Sequence, residues 1–113
     1  MSFNYVRKDG KDFLSLLVGS PRMKSAGLLP IHRGVWHALD VVIKWSQSAD
    51  GKVAVFLDLS KEPVLTATGP NMHNGNHHYL KLGMYRHPEI ATENRLGIRD
   101  VSIEHLTAWP SDK

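Results

Sequence analysis

The chain has 113 residues, of which 42% are hydrophobic and 22% are charged. This length supports one hydrophobic core rather than two, and the composition differs from the low hydrophobicity and high charge of disordered chains. We therefore predict a single folded domain over residues 1–113. The formal net charge of +3 favours anionic partners, although so modest an excess is also common in proteins that bind none.

Several classes of partner have no signal in this sequence. No apolar run has the length needed to cross a bilayer, and the first residues lack the apolar stretch of a signal peptide, so we expect no membrane partner. Zinc-finger spacing, Lys/Arg tracts and RNA-binding motifs are missing, so we expect no nucleic acid. The lack of cysteine removes disulfides and thiolate metal sites but leaves the compartment open.

Turn-forming residues divide the chain into short apolar stretches. Asp-Gly, Gly-Pro and Asn-Gly pairs recur at near-regular intervals, a pattern typical of an all-β protein. A helical turn is an alternative for residues 12–18, and residues 87–97 resemble an extended loop. Seven predicted strands together indicate a sandwich or a jelly roll. The predicted strands are residues 3–7, 12–18, 36–46, 52–59, 64–68, 78–86 and 98–107.

The clearest predicted hairpin has its turn at Ser48-Ala49-Asp50-Gly51. Because side chains alternate along a strand, the strand before this turn is expected to keep one dry face, with Lys44 on the other. We also expect Trp36 to be in the core. The expected core-facing residues are Leu39, Val41, Ile43 and Trp45 before the turn, Val53, Val55 and Leu57 after it, and Val101 and Ile103 in the last strand.

The stretch over residues 78–86 carries the most chemical information. Alternation places Tyr79, Lys81, Gly83 and Tyr85 in one row, opposite an apolar row, with Lys81 and Tyr85 about 13 Å apart along the strand. Gly83 leaves a gap between them, which marks either a bulge or a close approach by a ligand. The pattern alone favours an ordinary amphipathic surface strand.

A family resemblance adds to that interpretation. Lys81-Leu82-Gly83-Met84-Tyr85-Arg86, preceded by Tyr79, resembles the Tyr-Phe-Lys-x-Gly-x-Tyr segment of the β-jelly-roll alginate, glucuronan and heparin lyases. The resemblance covers about residues 12–106 and implies an all-β, jelly-roll or concanavalin A-like antiparallel β-sandwich. Four upstream segments resemble, in order, elements of the glucuronan and heparin lyase branch: Pro30-x-x-Arg33-Gly34-Val35-Trp36-His37, Val42-Ile43-Lys44-Trp45-Ser46, Asp50-Gly51-Lys52-Val53 and Gly69-Pro70-Asn71.

The resemblance implies a lyase that acts by β-elimination on a uronate-containing acidic polysaccharide, with no cofactor and no metal. It assigns proton transfer to Tyr85 and substrate contact to Lys81, with Tyr79, Arg86 and His78 as further substrate-binding residues. Removal of a proton next to a carboxylate requires positioned cations or donors, which suits a lysine beside this tyrosine. Arg86 lies on the opposite parity from Tyr85, so a solvated charge is an equal alternative for it.

Two catalytic roles of the family are not carried over. Members are longer, and their catalytic histidine and carboxylate-neutralising glutamine or asparagine belong to strands upstream of the segments found here. We therefore expect this chain to correspond to the C-terminal half of such a lyase, forming the sandwich or only half of it. His37 is expected to form hydrogen bonds at a sheet edge rather than to act as the base.

A group of histidines and asparagines precedes the lyase-like segment. Such a group can hold a metal or contact saccharide hydroxyls, and the lack of a carboxylate within it makes the metal the less favoured of the two alternatives. The histidines are His73, His77 and His78, beside Asn71, Asn74 and Asn76.

Other functions remain open on the sequence. One is a non-catalytic carbohydrate-binding module, and another is a truncated structural or interaction domain. A half sandwich leaves an open sheet, which predicts a homo-oligomer or a complementing chain that covers it. Secretion or a periplasmic location is expected if the chain is part of a full lyase.

Overall fold

A computed structural model describes residues 1–75, 80–82 and 95–110 of the chain. Over these ranges the protein is all-β and contains no helix, and the strands form two antiparallel three-stranded sheets. The predicted all-β class is confirmed, and the arrangement is a partial β-sandwich of the jelly-roll kind. The strands are β1 (Ser2–Lys8), β2 (Lys11–Val18), β3 (Lys24–Ile31), β4 (Leu39–Lys44), β5 (Lys52–Leu57) and β6 (Leu65–Thr68).

Sheet A consists of β1, β2 and β3 in chain order. Asp9 and Gly10 join the first two strands as a two-residue loop in which both φ angles are positive, 52° and 73°, as in a type I′ turn. The register is Lys8 opposite Lys11 and Phe3 opposite Leu16. The segment predicted at 12–18 is therefore a strand and not a helical turn.

Strand β3 was not predicted from the sequence. It contains Gly27 and Pro30, two residues that are uncommon within strands. Pro30 is tolerated because β3 lies at the edge of sheet A, where one side of the strand needs no ladder partner. The register shifts between Leu16 and Leu17, so that β2 and β3 carry a bulge.

Sheet B consists of β4, β5 and β6, again in chain order. The predicted antiparallel hairpin is confirmed, since Lys44 pairs with Lys52 across the turn that contains Gly51. Lys44 is exposed and forms an ion pair with Asp50, with 3.0 Å between Nζ and Oδ2. Its predicted outward orientation is thus correct.

The main core lies between the two sheets. Its fully buried members come from both layers, Leu16 and Leu29 from sheet A and Val53 and Val55 from sheet B. The predicted inward face of β5 is confirmed, because Leu57 packs on the same cluster. Other partly buried members are Met1, Phe3, Leu14, Val18, Ala26, Val41, Ile43, Leu65 and Ala67.

The second face of sheet B is also apolar, against the prediction that only one face is dry. Val42, Ala54 and Phe56 form a small buried cluster there. Trp109 lies on the same side, with the Nζ of Lys52 5.8 Å from the centre of its indole ring. Strand β5 is therefore buried on both faces.

Two expectations about tryptophan are wrong. Trp36 is 55% exposed and Trp45 is 39% exposed, although both were expected in the core. The physical reason is that β4 spans only Leu39–Lys44, so both residues lie in the segments that flank the strand.

The chain divides into two compact units, of which the sandwich is the first (Met1–Gly75 with Ala108–Lys113). The second unit is Asn76–Thr107, of which residues 80–82 and 95–107 are described. The strand predicted over 98–107 is absent there, and Val101 and Ile103 are 52% and 71% exposed rather than core residues. Asp100 has a φ of 55°, which interrupts the extended backbone that a strand requires.

Candidate functional site

Lys81 is the one residue of the predicted lyase site that falls within the described ranges. It lies in an irregular segment of the second unit and is exposed. The other four residues, Tyr85, Tyr79, Arg86 and His78, lie outside the described residues. Their predicted roles therefore remain predictions.

The Gly69-Pro70-Asn71 segment has a structural role at the end of sheet B. Asn71 is buried, and its Oδ1 accepts a hydrogen bond from the backbone N–H of Ser46 at 2.8 Å. Its Nδ2 donates to the backbone carbonyl of Lys44 at 3.0 Å. The backbone N–H of Asn71 also donates to the Ser46 carbonyl at 3.0 Å. The side-chain amide thus acts as a further ladder partner for the end of β4.

This arrangement requires the chain to cross the start of β5 closely. A Cβ atom on Gly51 would lie 2.3 Å from the carbonyl oxygen of Gly69 and 3.1 Å from Nδ2 of Asn71. Only glycine permits that approach. Asn71 lies beside the histidines of the group that could contact sugar, but its burial and its bonds to Ser46 and Lys44 give it a structural role instead.

His37 holds the loop between β3 and β4. Its Nδ1 lies 2.9 Å from Oδ2 of Asp58, and its Nε2 accepts a hydrogen bond from the backbone N–H of His32 at 2.9 Å. Asp58 accepts a second bond from the N–H of Ala38 at 3.0 Å. The predicted hydrogen-bonding role at a sheet edge is confirmed, and both ring nitrogens of His37 are engaged in it.

The bond from His37 also sets the acidity of its partner. It lowers the pKa of the Asp58 carboxyl, and the bond from the Ala38 N–H acts in the same direction. The ionised carboxylate is therefore the form that the loop binds.

A polar cluster, which the sequence analysis missed, occupies the inner face of sheet A at its open end. We call it the Tyr5 cluster; its members are Tyr5, Arg7, Asp12 and Arg33. The register of β1 and β2 places Tyr5, Arg7 and Asp12 on the same face as the core residues Phe3 and Leu16. The core of the sandwich ends where this cluster begins.

Asp12 is the centre of the Tyr5 cluster. Its Oδ1 accepts hydrogen bonds from the Tyr5 hydroxyl and from Nη1 of Arg7, the latter at 2.9 Å. The Nε of Arg33 lies 3.4 Å from the same oxygen. Chiefly the Tyr5 bond, and then the charges of Arg33 and Arg7, lower the pKa of the Asp12 carboxyl. The pKa of Arg7 is raised by its bond to Tyr5 and by the charge of Asp12.

Arg33 comes from the loop after β3, yet it is fixed against β1. Its Nη2 donates to the Tyr5 hydroxyl at 2.5 Å, and its Cζ lies 5.3 Å from the centre of the Tyr5 ring. Because 28 residues separate these two side chains, no sequence spacing signals the contact. Arg33 was noted before only as part of the Arg33-Gly34-Val35-Trp36-His37 segment.

A surface cleft of about 350 Å³ borders Asp12 but opens on the face of sheet A opposite the Tyr5 cluster, because Lys11 and Phe13 alternate with Asp12 along β2. It lies where the first turn of sheet A meets the end of β3, and it presents Lys11 and His32. The other residues that line it are Gly10, Phe13, Pro30 and Ile31.

Within residues 1–75, 80–82 and 95–110, no group of three or more His, Cys, Asp or Glu side chains is placed to hold a metal ion. His73 contacts Asn74, with 3.1 Å between Nε2 and Nδ2. Those same ranges contain no helix with the length and apolar character needed to span a membrane.

The two antiparallel layers and the open polar end define the chain as a β-sandwich protein. The family model described as Polysaccharide lyase matches residues 5–103. The chain therefore belongs to the Polysaccharide lyase family. No curated protein and no solved structure matches it.

Proposed function

We propose that this protein is a polysaccharide lyase that cleaves uronate-containing acidic polysaccharides by β-elimination. The observation that carries the proposal is the family match, which extends over residues 5–103 and so includes both Lys81 and Tyr85. The all-β sandwich supports it, because the resembling lyases share this architecture. The net charge of +3 is favourable for an anionic polymer.

In the proposed reaction, the C5–H bond of the uronate and the C4–O glycosidic bond break, and a C4=C5 double bond forms. The C5 proton passes to a base, and a proton is delivered to the departing glycosidic oxygen. Tyr85 performs proton transfer in this scheme, and an ordinary tyrosine pKa of about 10 suits delivery of the proton to the leaving oxygen. Lys81, which is exposed, stabilises the developing negative charge or holds the substrate.

The general base is not assigned to His37. Its two ring nitrogens are occupied by Asp58 and by the backbone of His32, so a base role would break the loop that it holds. Tyr79, Arg86 and His78 complete the proposed substrate-binding set through the resemblance to the glucuronan and heparin lyases. The polymer itself stays open among alginate, glucuronan and heparin-like chains.

Product formation tests the proposal directly. Purified protein is incubated with glucuronan, alginate and heparin, and the ultraviolet absorbance of the unsaturated uronate product is followed. We expect Tyr85→Phe to lower kcat by about 100-fold or more, the usual contribution of a proton-transfer residue. Lys81→Gln should lower kcat/KM, whereas Lys61→Gln, which removes an exposed lysine from the β5–β6 loop, should behave like the wild type.

The alternatives give different results in the same assay. Unchanged turnover by Tyr85→Phe would contradict the assignment of that residue. A folded wild-type protein that binds the polymers but releases no product would be a carbohydrate-binding module. One that neither binds nor cleaves them would be a structural or interaction domain.

A further inference from the structure

We propose that Arg33 and Arg7 form an anion-binding subsite for the carboxylate of an acidic sugar residue, at the open end of sheet A. The class of ligand rests on the proposed function. The subsite itself rests on the geometry of the Tyr5 cluster, and it uses no residue of the segment that resembles the lyase motif.

Arg33 is fixed in place without being buried. It contacts the Tyr5 hydroxyl, the Tyr5 ring and Asp12, yet 66% of its side chain remains exposed. An exposed arginine normally samples many rotamers, and binding a ligand costs that freedom. A guanidinium that is already fixed and still faces solvent avoids most of this cost. It also presents a planar set of donors that matches a carboxylate.

The charges of the cluster leave a positive excess toward solvent. Two guanidinium groups surround one carboxylate, which gives a formal charge of +1. The Asp12 side chain is only 13% exposed, whereas Arg7 and Arg33 are 53% and 66% exposed. An approaching anion therefore meets the cations first, while the compensating carboxylate is shielded behind them.

Calorimetric titration with a glucuronate oligosaccharide, and with a neutral glucan oligosaccharide of the same length, tests the subsite. We expect Arg33→Gln to raise the Kd for the acidic oligosaccharide by about tenfold or more, as expected for loss of a charge-assisted contact. The matched control is Arg22→Gln, which removes the same charge from an exposed position of the sandwich. It should change the Kd less than twofold. The neutral oligosaccharide should show the same affinity for the wild type, Arg33→Gln and Arg22→Gln.

Equal effects of Arg33→Gln and Arg22→Gln would overturn the proposal, because long-range charge alone would then explain binding. A DNA duplex that binds as tightly as the acidic oligosaccharide at equal salt would overturn it too. Since Arg33→Gln also removes contacts within the fold, NMR titration of the wild-type protein with the glucuronate oligosaccharide gives a second measurement. Saturable shifts of the Arg33 Nε–H signal support the subsite, and no shift at saturation refutes it.

These binding measurements do not depend on turnover. Glucuronate binding that requires Arg33, without product formation, would reject the lyase activity and keep the subsite. Product formation by the wild type, together with unchanged glucuronate binding in Arg33→Gln, would keep the lyase activity and reject the subsite.

Discussion

Replacement of Asn71 by alanine is expected to destabilise the sandwich strongly. The side chain is only 5% exposed and pairs the backbone N–H of Ser46 and the carbonyl of Lys44. Its removal leaves both backbone groups without this partner in a partly buried place, at about 1–3 kcal/mol each. Allowing for some entry of water, we expect a loss of about 2–4 kcal/mol in the free energy of unfolding.

An isosteric variant separates hydrogen bonding from packing. Asn71→Asp keeps an acceptor for Ser46 but replaces the donor that faces the Lys44 carbonyl with a second acceptor. At neutral pH, Asn71→Asp should therefore lower the free energy of unfolding at least as much as Asn71→Ala. At lower pH its free energy of unfolding should approach that of the wild type, because a protonated carboxyl again donates to the Lys44 carbonyl.

Urea denaturation followed by circular dichroism measures these changes, and a thermal scan should show a fall in Tm of roughly 8–16 °C for Asn71→Ala. Asn4→Ala, at an exposed position of β1, is the matched control and should stay within about 0.5 kcal/mol of the wild type. The reasoning would be refuted if Asn71→Ala fell within the same 0.5 kcal/mol, since the side-chain amide would then contribute nothing net.

Gly27→Ala should destabilise by about 1–3 kcal/mol, because the added Cβ would lie 2.5 Å from Cδ2 of Leu65 at a φ of 149°. In urea denaturation the control is Gly75→Ala, whose Cβ would meet no atom within 4 Å. Equal losses in the free energy of unfolding for the two variants would contradict the expected clash with Leu65. Because its bond to His37 lowers the folded-state pKa of Asp58, the stability this carboxylate provides is present above an unfolded pKa of about 3.9 and is lost as pH falls. Unfolding free energies measured from pH 6 to pH 3 should therefore fall less steeply for Asp58→Asn than for the wild type, and parallel curves would exclude this role.

The sequence predicted those strands whose alternation and turns are both regular. In β5, Val53, Val55 and Leu57 alternate and a glycine turn precedes them, and the structure agrees. In contrast, β3 escaped prediction because Gly27 and Pro30 reduce its local strand propensity, and only pairing with β2 makes it a strand. Local propensity carries no information about such a partner.

The same distinction applies to the candidate site. The role of His37 was predictable, because the Trp36-His37 pair resembles a pair with a structural role in the jelly-roll lyases. The Tyr5 cluster was not, because the register of three strands brings Tyr5, Asp12 and Arg33 together from separate parts of the chain. The alternating residues Val101 and Ile103 show the opposite error, where a strand-like pattern lies beside Asp100 with its positive φ.

The order of the strands has a consequence for how the sandwich assembles. Each sheet is a meander in which every strand pairs with the next one along the chain, so its contacts close only short loops. Short loops cost little entropy to close and form early. Docking of the two meanders, through residues such as Leu16 and Val55, is the step that joins distant parts of the sequence. A substitution at that interface should therefore act on a late event in folding and leave each hairpin able to form.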